Sequence, residues 1–238
     1  MVAQSVVSDG WAALANGGGL SWVVWLALAA AVRLALTAAG AASRLDLLFA
    51  GGCLLAIALP AHFVINLAAT ALALRYAFAP GMPAPLRGAG VILFTLFFSI
   101  FWSIHIFPMF AGPLAVIDAW WVGLVSGAEI DGNIVSFKEG EGSFLLAGPC
   151  TSVANASLAL LLWISISRSF RPQGSRGQWL VAVGVFASAV AVNVIRLAMM
   201  SQNLTLFDLV HASEWVTLAV TATGLGWGIW DARREIFA

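Results

Sequence analysis

Long apolar stretches separated by short polar loops dominate this chain, and their lengths predict membrane-spanning helices. A hydrocarbon core about 30 Å thick needs roughly 20 apolar residues in helical form. Pro60 interrupts the longest apolar run, and because proline breaks a helix interior, two short helices are predicted there. The predicted fold is an all-α polytopic membrane protein of about six to eight transmembrane helices. Its predicted apolar helices cover residues 20–42, 45–59, 61–78, 88–110, 150–167, 178–200 and 211–230.

The middle of the chain follows a different pattern. Residues 114–125 are apolar but too short to span comfortably, and Asp118 beside a tryptophan pair predicts a helix lying in the membrane interface. Strand-forming residues at 133–138 and 143–146 flank a glycine-rich turn and predict a small β-hairpin. The whole chain, 1–238, is predicted to be a single integral membrane domain. Its parts are N-terminal helices (1–88), an outward helix plus the interfacial helix (89–127), the hairpin (128–149) and a three-helix core (150–230).

Composition supports the membrane assignment. Apolar residues make up 61% of the chain and charged residues 9%, with a mean hydropathy of +0.96, which excludes a soluble globular domain of this length. The net charge of zero gives no indication of a nucleic-acid partner. Two cysteines do not form a disulfide framework, and Cys53 in an apolar run is predicted to be a core residue. We expect the N-terminus to be retained, because no basic segment and small-residue cleavage site open the chain.

Arginine-containing loops set the predicted orientation. Residues 75–87, 168–176 and 233–234 carry arginines, and the positive-inside rule assigns them to the cytoplasm. Alternation of the spans then makes the hairpin extracytoplasmic. Three consecutive helices are predicted to bring Cys150, Arg196 and His211 to the outer face, within about one or two helical turns of a common depth.

These three groups suit acyl-transfer chemistry. Cys150 is predicted to open a helix, whose dipole favours the nucleophilic thiolate together with a nearby cation. The imidazole of His211 can take up a proton and return it to a leaving amine, and Arg196 stays protonated and can hold a developing oxyanion. Each group alone also has a structural interpretation as a packed thiol, a snorkelling arginine or a surface histidine. The predicted supporting hydrogen-bonding residues are Ser152, Asn155, Asn193 and Glu214.

The order of these groups resembles the exosortase/archaeosortase family of membrane-embedded cysteine processing enzymes. The resemblance covers about residues 125–220 and depends on Pro149-Cys150-Thr151-Ser152, on Asn193 and Arg196-Leu197, and on His211 with a nearby tryptophan. Many members have Cys-Ser-Gly where this chain has Cys-Thr-Ser, so the subtype and the recognition sequence stay open.

Several properties are implied by this resemblance. Cys150 matches the family nucleophile, Arg196 the family arginine, and His211 the third group; no cofactor and no metal are expected. The substrates would be exported proteins with a C-terminal sorting signal, which consists of a short motif, one transmembrane helix and a basic tail. Cleavage would proceed through a Cys thioester, with possible transfer to a cell-surface acceptor. The location implied is a prokaryotic plasma (inner) membrane, multi-pass, with the active site facing outside.

Other functions stay open on the residues alone. A haem-binding or proton-carrying membrane protein would use His62, His105 and His211, which have no obvious pairing at one depth. A non-catalytic scaffold or lipid-binding subunit would tolerate individual replacement of the cysteine, arginine and histidine. A rhomboid-type serine protease is disfavoured because the chain has no Gly-x-Ser-x-Gly motif.

Overall fold

The computed structural model describes residues 21–38, 44–57, 62–99, 107–175, 177–211 and 215–236. Within these ranges the chain is mostly α-helical with one small β-sheet, which confirms the predicted helical class and the predicted hairpin. The helices are α1 Trp22–Leu36, α2 Arg44–Ile57, α3 His62–Phe78, α4 Ala84–Phe97, α5 Phe107–Ser126, α6 Ser152–Phe170, α7 Gln178–Met200, α8 Leu204–His211 and α9 Trp215–Ile236. The strands are β1 Ile130–Asp131, β2 Ile134–Ser136 and β3 Ser143–Leu145.

Three of the described helices, α5, α6 and α7, are long and apolar enough to cross a membrane, with 20, 19 and 23 residues. Helices α1 to α4 are apolar but shorter. Two short helices, α2 and α3, lie where the sequence predicts them, and Pro60 between them is outside the described residues. The count of about six to eight spans stays a prediction.

Helices α4 and α5 differ in their bounds from the predicted elements. The sequence predicts one helix over 88–110 and a short interfacial helix over 114–125. In the structure α4 covers Ala84–Phe97, a π-helical turn follows at 98–99, residues 100–106 lie outside the described residues, and α5 runs from Phe107 to Ser126 without a break. Pro108 lies in the first turn of α5, where its missing N–H needs no intrahelical partner. The proline therefore stands at the beginning of a helix instead of the end of one, and the predicted interfacial helix is part of a longer helix.

The described chain divides into two compact units. The first contains α1 to α4, together with residues of Ile164–Ser175 and Ala232–Ala238. In this unit Arg75 on α3 forms an ion pair with Asp46 on α2, with 2.8 Å between nitrogen and oxygen. Helices α3 and α4 approach so closely that a Cβ at Gly90 would clash with the backbone of Ala77. Glycine is required there because the two backbones are almost in contact.

The second unit consists of residues of Phe98–Trp163 and Arg176–Asp231 and contains the sheet. The sheet is antiparallel in the order β1-β2-β3, with Val135 opposite Phe144. The sequence predicts β2 and β3 but not β1. Gly132 follows β1 with a φ of 60°, the left-handed conformation that a two-residue hairpin loop beginning with glycine requires.

One apolar cluster forms the core around this sheet. It combines buried side chains of α5, the sheet region, α7 and α8, so the hairpin is packed against helices and is not an independent appendage. The cluster consists of Ala115, Ala119, Val122, Ala128, Val135, Phe144, Leu146, Leu197, Ala198, Met200 and Val210.

Candidate active site

The turn that carries Cys150 lies between β3 and α6. The Gly148–Cys150 segment forms one turn of 3-10 helix, and the Thr151 hydroxyl donates a hydrogen bond to the carbonyl oxygen of Gly148 at 2.8 Å. The backbone of Thr151 is extended, with φ −71° and ψ 150°. Helix α6 therefore begins at Ser152, two residues after Cys150, instead of at the cysteine as the sequence predicts. Cys150 is half-buried and packs against the apolar cluster.

Asp118 on α5 holds the beginning of α6. Its side chain is only 5% exposed, and its Oδ2 accepts a hydrogen bond from the N–H of Ser152 at 2.7 Å. A carboxylate that accepts an N–H in the first turn of a helix acts as an N-cap, and here the cap comes from another helix. Helix α5 lies close to the turn, because a Cβ at Gly148 would meet the Ala111 Cβ at 3.3 Å.

Asn193 on α7 joins the predicted supporting residues into one network. Its Nδ2 donates to the carbonyl oxygen of Cys150 at 3.0 Å and to Oγ of Ser152 at 3.2 Å. Its Oδ1 accepts a hydrogen bond from Nδ2 of Asn155 at 2.9 Å. Asn193 is fully buried, and all of its amide atoms are in use. The Cys150 turn is thus fixed by α5 through Asp118 and by α7 through Asn193.

Arg196 lies three residues after Asn193 on the same helix, which gives the two side chains a common face. Its side chain is half-buried, and its Nε is buried with no hydrogen-bond partner among the described residues. A buried donor without a partner costs about 1–3 kcal/mol. The described residues supply no acceptor that offsets this cost. Leu197, the next residue, is fully buried in the apolar cluster.

His211 lies within a helix that the sequence does not predict. The sequence predicts a helix over 211–230, but α8 covers Leu204–His211, residues 212–214 lie outside the described residues, and α9 begins at Trp215. Asn203 caps the beginning of α8, because its Oδ1 accepts a hydrogen bond from the N–H of Leu206 at 2.9 Å. The His211 ring is exposed and stacks on Phe207, with ring centroids 5.2 Å apart and planes inclined by 7°.

The predicted site residues differ in how far hydrogen bonds connect them to one another. Ser152, Asn155 and Asn193 form one hydrogen-bonded network with the backbone of Cys150. Within the described ranges, no hydrogen bond joins the side chains of Cys150, Arg196 and His211 to one another. Cys150 and Phe207 pack against the apolar cluster, and Arg196 and His211 are the sequence neighbours of its members Leu197 and Val210. Glu214 and His105 lie outside the described residues, as does the side chain of His62.

The sequence did not indicate that Asp118 belongs to this site. It was assigned to the membrane interface because of its tryptophan neighbours, and its partner is 34 residues away. One feature of the sequence could have indicated this role. Asp118 is a carboxylate within a long apolar segment, and such a group needs a specific partner when it is buried.

A separate cavity of about 580 Å³ lies between α7 and α9. Trp227 and Ser188 line it, and Nε1 of Trp227 donates to Oγ of Ser188 at 3.1 Å. None of the predicted site residues that the structure describes lines this cavity. Within the described ranges, no three His, Cys, Asp or Glu side chains are grouped so that they could hold a metal ion.

No known protein family, curated protein or solved structure matches this chain.

Proposed function

We propose that this chain is an exosortase-like, membrane-embedded cysteine peptidase or transpeptidase. Its substrates are exported proteins that end in a short recognition motif, one transmembrane helix and a basic tail. It cleaves them at the outer face of a prokaryotic plasma membrane. The new C-terminus then passes from an acyl-enzyme to a cell-surface acceptor amine or to water.

The observation that carries the proposal is the set of hydrogen bonds that hold the turn around Cys150. Two buried polar side chains, Asp118 and Asn193, hold the turn of this half-buried cysteine through hydrogen bonds of 2.7 and 3.0 Å. Buried polar groups of this kind are costly unless they are paired, and a cysteine that only fills space needs no such support. A nucleophile, in contrast, must be held in a fixed position relative to the bond that it attacks.

The chemical steps follow from the three side chains. The Cys150 thiolate attacks the carbonyl carbon of the scissile peptide bond, and a carbon–sulfur bond forms. The guanidinium of Arg196 stabilises the resulting oxyanion, since it stays protonated and carries several N–H donors. His211 donates a proton to the leaving amine as the carbon–nitrogen bond breaks, which leaves a thioester on Cys150. An acceptor amine or water then attacks the thioester, loses a proton to His211 and restores the thiolate.

The test is cleavage of reporters in cells. Tagged exported proteins carrying a randomised motif, an apolar helix and an arginine tail are expressed with the chain, and release of the C-terminal segment is followed by immunoblot. The proposal expects cleavage with the original chain and none with Cys150→Ala or Cys150→Ser. Cys53→Ala is the matched control, because Cys53 is only 7% exposed and lies in the other unit. Cleavage that persists at the normal rate in Cys150→Ala would overturn the proposal.

A further inference from the structure

Strand β3 lies at one edge of the sheet and leads directly to the Cys150 turn. Among the residues that the structure describes, the strand order β1-β2-β3 leaves β3 without a neighbouring strand on its outer side. Its last residue, Leu145, is five positions before Cys150. At about 3.3 Å per residue, an extended substrate peptide of five or six residues is long enough to reach from Leu145 to Cys150.

The pairing register determines which backbone groups of β3 face outward. Leu146 N–H donates to Asn133 O at 2.9 Å, and Phe137 N–H donates to Gly142 O at 3.1 Å. Because antiparallel pairs alternate, Phe144 between these positions also directs its N–H and C=O toward β2. The N–H and C=O groups of Ser143 and Leu145 therefore point away from the sheet. They have no hydrogen-bond partner in the part of the chain that the structure describes.

The side chains along β3 also favour an added strand. Phe144 is buried in the apolar cluster, whereas Leu145 is 61% exposed and lies opposite Ile134, which is 38% exposed. This exposed apolar pair is a surface against which a neighbouring strand packs a side chain of its own. Strand β1, at the other edge, is less suitable because it has two residues and α5 lies against it. A Cβ at Gly123 on α5 would be 2.7 Å from Cγ1 of Ile130.

We propose that β3 binds the substrate as an added β-strand. The segment next to the scissile bond pairs with the outward N–H and C=O groups of Ser143 and Leu145 and continues to Cys150. The residue of the substrate that packs beside Leu145 and Ile134 is apolar. This inference rests on the proposed function, since the occupant is the peptide that Cys150 cleaves. An unpaired edge beside a nucleophile binds extended chains through main-chain hydrogen bonds, which give affinity with little dependence on sequence.

Two rigid connections keep the edge in position relative to the site. The N–H groups of Lys138 and Glu139, directly after β2, donate to the carbonyl oxygens of Ser201 and Gln202 at 2.9 Å each. These acceptors follow the end of α7, the helix that carries Asn193 and Arg196. A peptide bound to β3 would therefore have a fixed position with respect to α7.

The first experiment changes the enzyme and uses purified chain in vesicles with the reporter that is cleaved in a Cys150-dependent way. Leu145→Pro removes one outward N–H without removing a bond to β2, and edge strands tolerate proline. Its matched control, Leu145→Ala, keeps the N–H. We expect Leu145→Pro to raise KM about fivefold to tenfold with little change in kcat, and Leu145→Ala to raise KM less than threefold. Thermal unfolding of both variants checks that the fold is retained.

The second experiment changes the substrate, so it does not depend on the folding of a variant. Synthetic reporters are N-methylated at one position at a time along the six residues before the cleavage point. If the substrate binds as an added strand, its sensitivity to N-methylation alternates along the chain. Every second N-methyl group then lowers kcat/KM about fivefold or more, and the intervening ones have little effect. Uniform sensitivity, or none, would overturn the inference.

The possible failures are distinguishable. If no reporter is cleaved in a Cys150-dependent way, the proposed function is wrong and this inference falls with it. If cleavage depends on Cys150 but Leu145→Pro and the N-methylated reporters keep the original KM, only strand addition is wrong. If Leu145→Pro instead converts a dimer into a monomer at unchanged KM, the edge pairs with a second copy of the chain, and the substrate assignment is wrong.

Discussion

Asp118 and Ser152 are 34 residues apart in the chain, yet the carboxylate of one accepts a hydrogen bond from the backbone N–H of the other at 2.7 Å. This contact joins α5 to the beginning of α6. Helix α6 starts directly after the Cys150 turn, so the contact also fixes the position from which the cysteine is presented.

Replacement of Asp118 by alanine is expected to lower the free energy of unfolding by about 1–3 kcal/mol, because the N–H of Ser152 then stays buried without an acceptor. Asp118→Asn is the control, since its amide oxygen can still accept this hydrogen bond, and we expect it to lose less than half as much stability. Thermal unfolding in one detergent measures both variants. Equal losses for alanine and asparagine would show that the hydrogen bond does not stabilise the fold.

Asn193→Ala is expected to reduce the rate of reporter cleavage at least tenfold. The variant loses the bond to the Cys150 carbonyl and the bond to the Ser152 hydroxyl, and it leaves Asn155 without its acceptor. A nucleophile displaced by about 1 Å can lose about a hundredfold in rate. Asn155→Ala is the matched control, because it removes one bond at the margin of the network, and we expect a loss below threefold. A comparable loss in both variants, measured by time-resolved immunoblot, would contradict this assignment.

The helical class and the hairpin could be predicted from the sequence, because both depend on local periodicity. Alternating strand formers around a glycine-rich turn indicated β2 and β3, and apolar runs indicated the helices. The third strand was missed although Gly132-Asn133 is a two-residue hairpin signal. The bounds near Pro108 were misplaced because a proline both begins and ends helices, and only tertiary packing decides between the two.

The types of polar residue in the site could be predicted from the sequence, but the contacts between them could not. Ser152, Asn155 and Asn193 were selected because they are polar and near Cys150, and they do form one network. Asp118 was missed because its partner is distant in sequence, so periodicity carries no information about the contact. His211 was predicted to open a helix but lies in α8, which begins at Leu204, since the capping role of Asn203 was not recognised.

Gly224→Ala is expected to destabilise the chain by about 1–3 kcal/mol, because overpacking forces backbone shifts. A Cβ at Gly224 would lie 2.7 Å from the carbonyl oxygen of Ala159 on α6. Gly226 on the same helix is the matched control, since a Cβ there meets nothing within 4 Å. Alanine at this position should be neutral or slightly stabilising through its higher helix propensity. Similar unfolding temperatures for the two variants would show that α6 and α9 are not packed as described.

Arg196→Ala is expected to reduce kcat about a hundredfold to a thousandfold, because one donor to the oxyanion is lost. Arg196→Lys keeps the positive charge but lacks the planar group with several N–H donors, so we expect only partial activity. The alternative is that Arg196 only reaches toward the membrane surface, in which case lysine should restore full activity. Cleavage kinetics of the purified variants at saturating reporter separate these outcomes, and unfolding temperatures check that each variant is folded.

His211→Ala is expected to lose at least tenfold in cleavage rate and to recover part of the loss when imidazole is added to the medium. The expected loss follows from general acid–base catalysis, and recovery is feasible because the His211 ring is exposed, so a small base can occupy the vacated space. N-methylacetamide, which has no basic nitrogen, serves as the control additive. Phe207→Leu provides a second comparison, since it removes the ring on which His211 stacks but leaves the imidazole in the chain. If His211→Ala cleaves at the original rate, another group delivers the proton to the leaving amine. If the variant is inactive and imidazole has no effect although the protein is folded, the loss does not come from proton transfer by His211, and the proposed acid–base role is wrong.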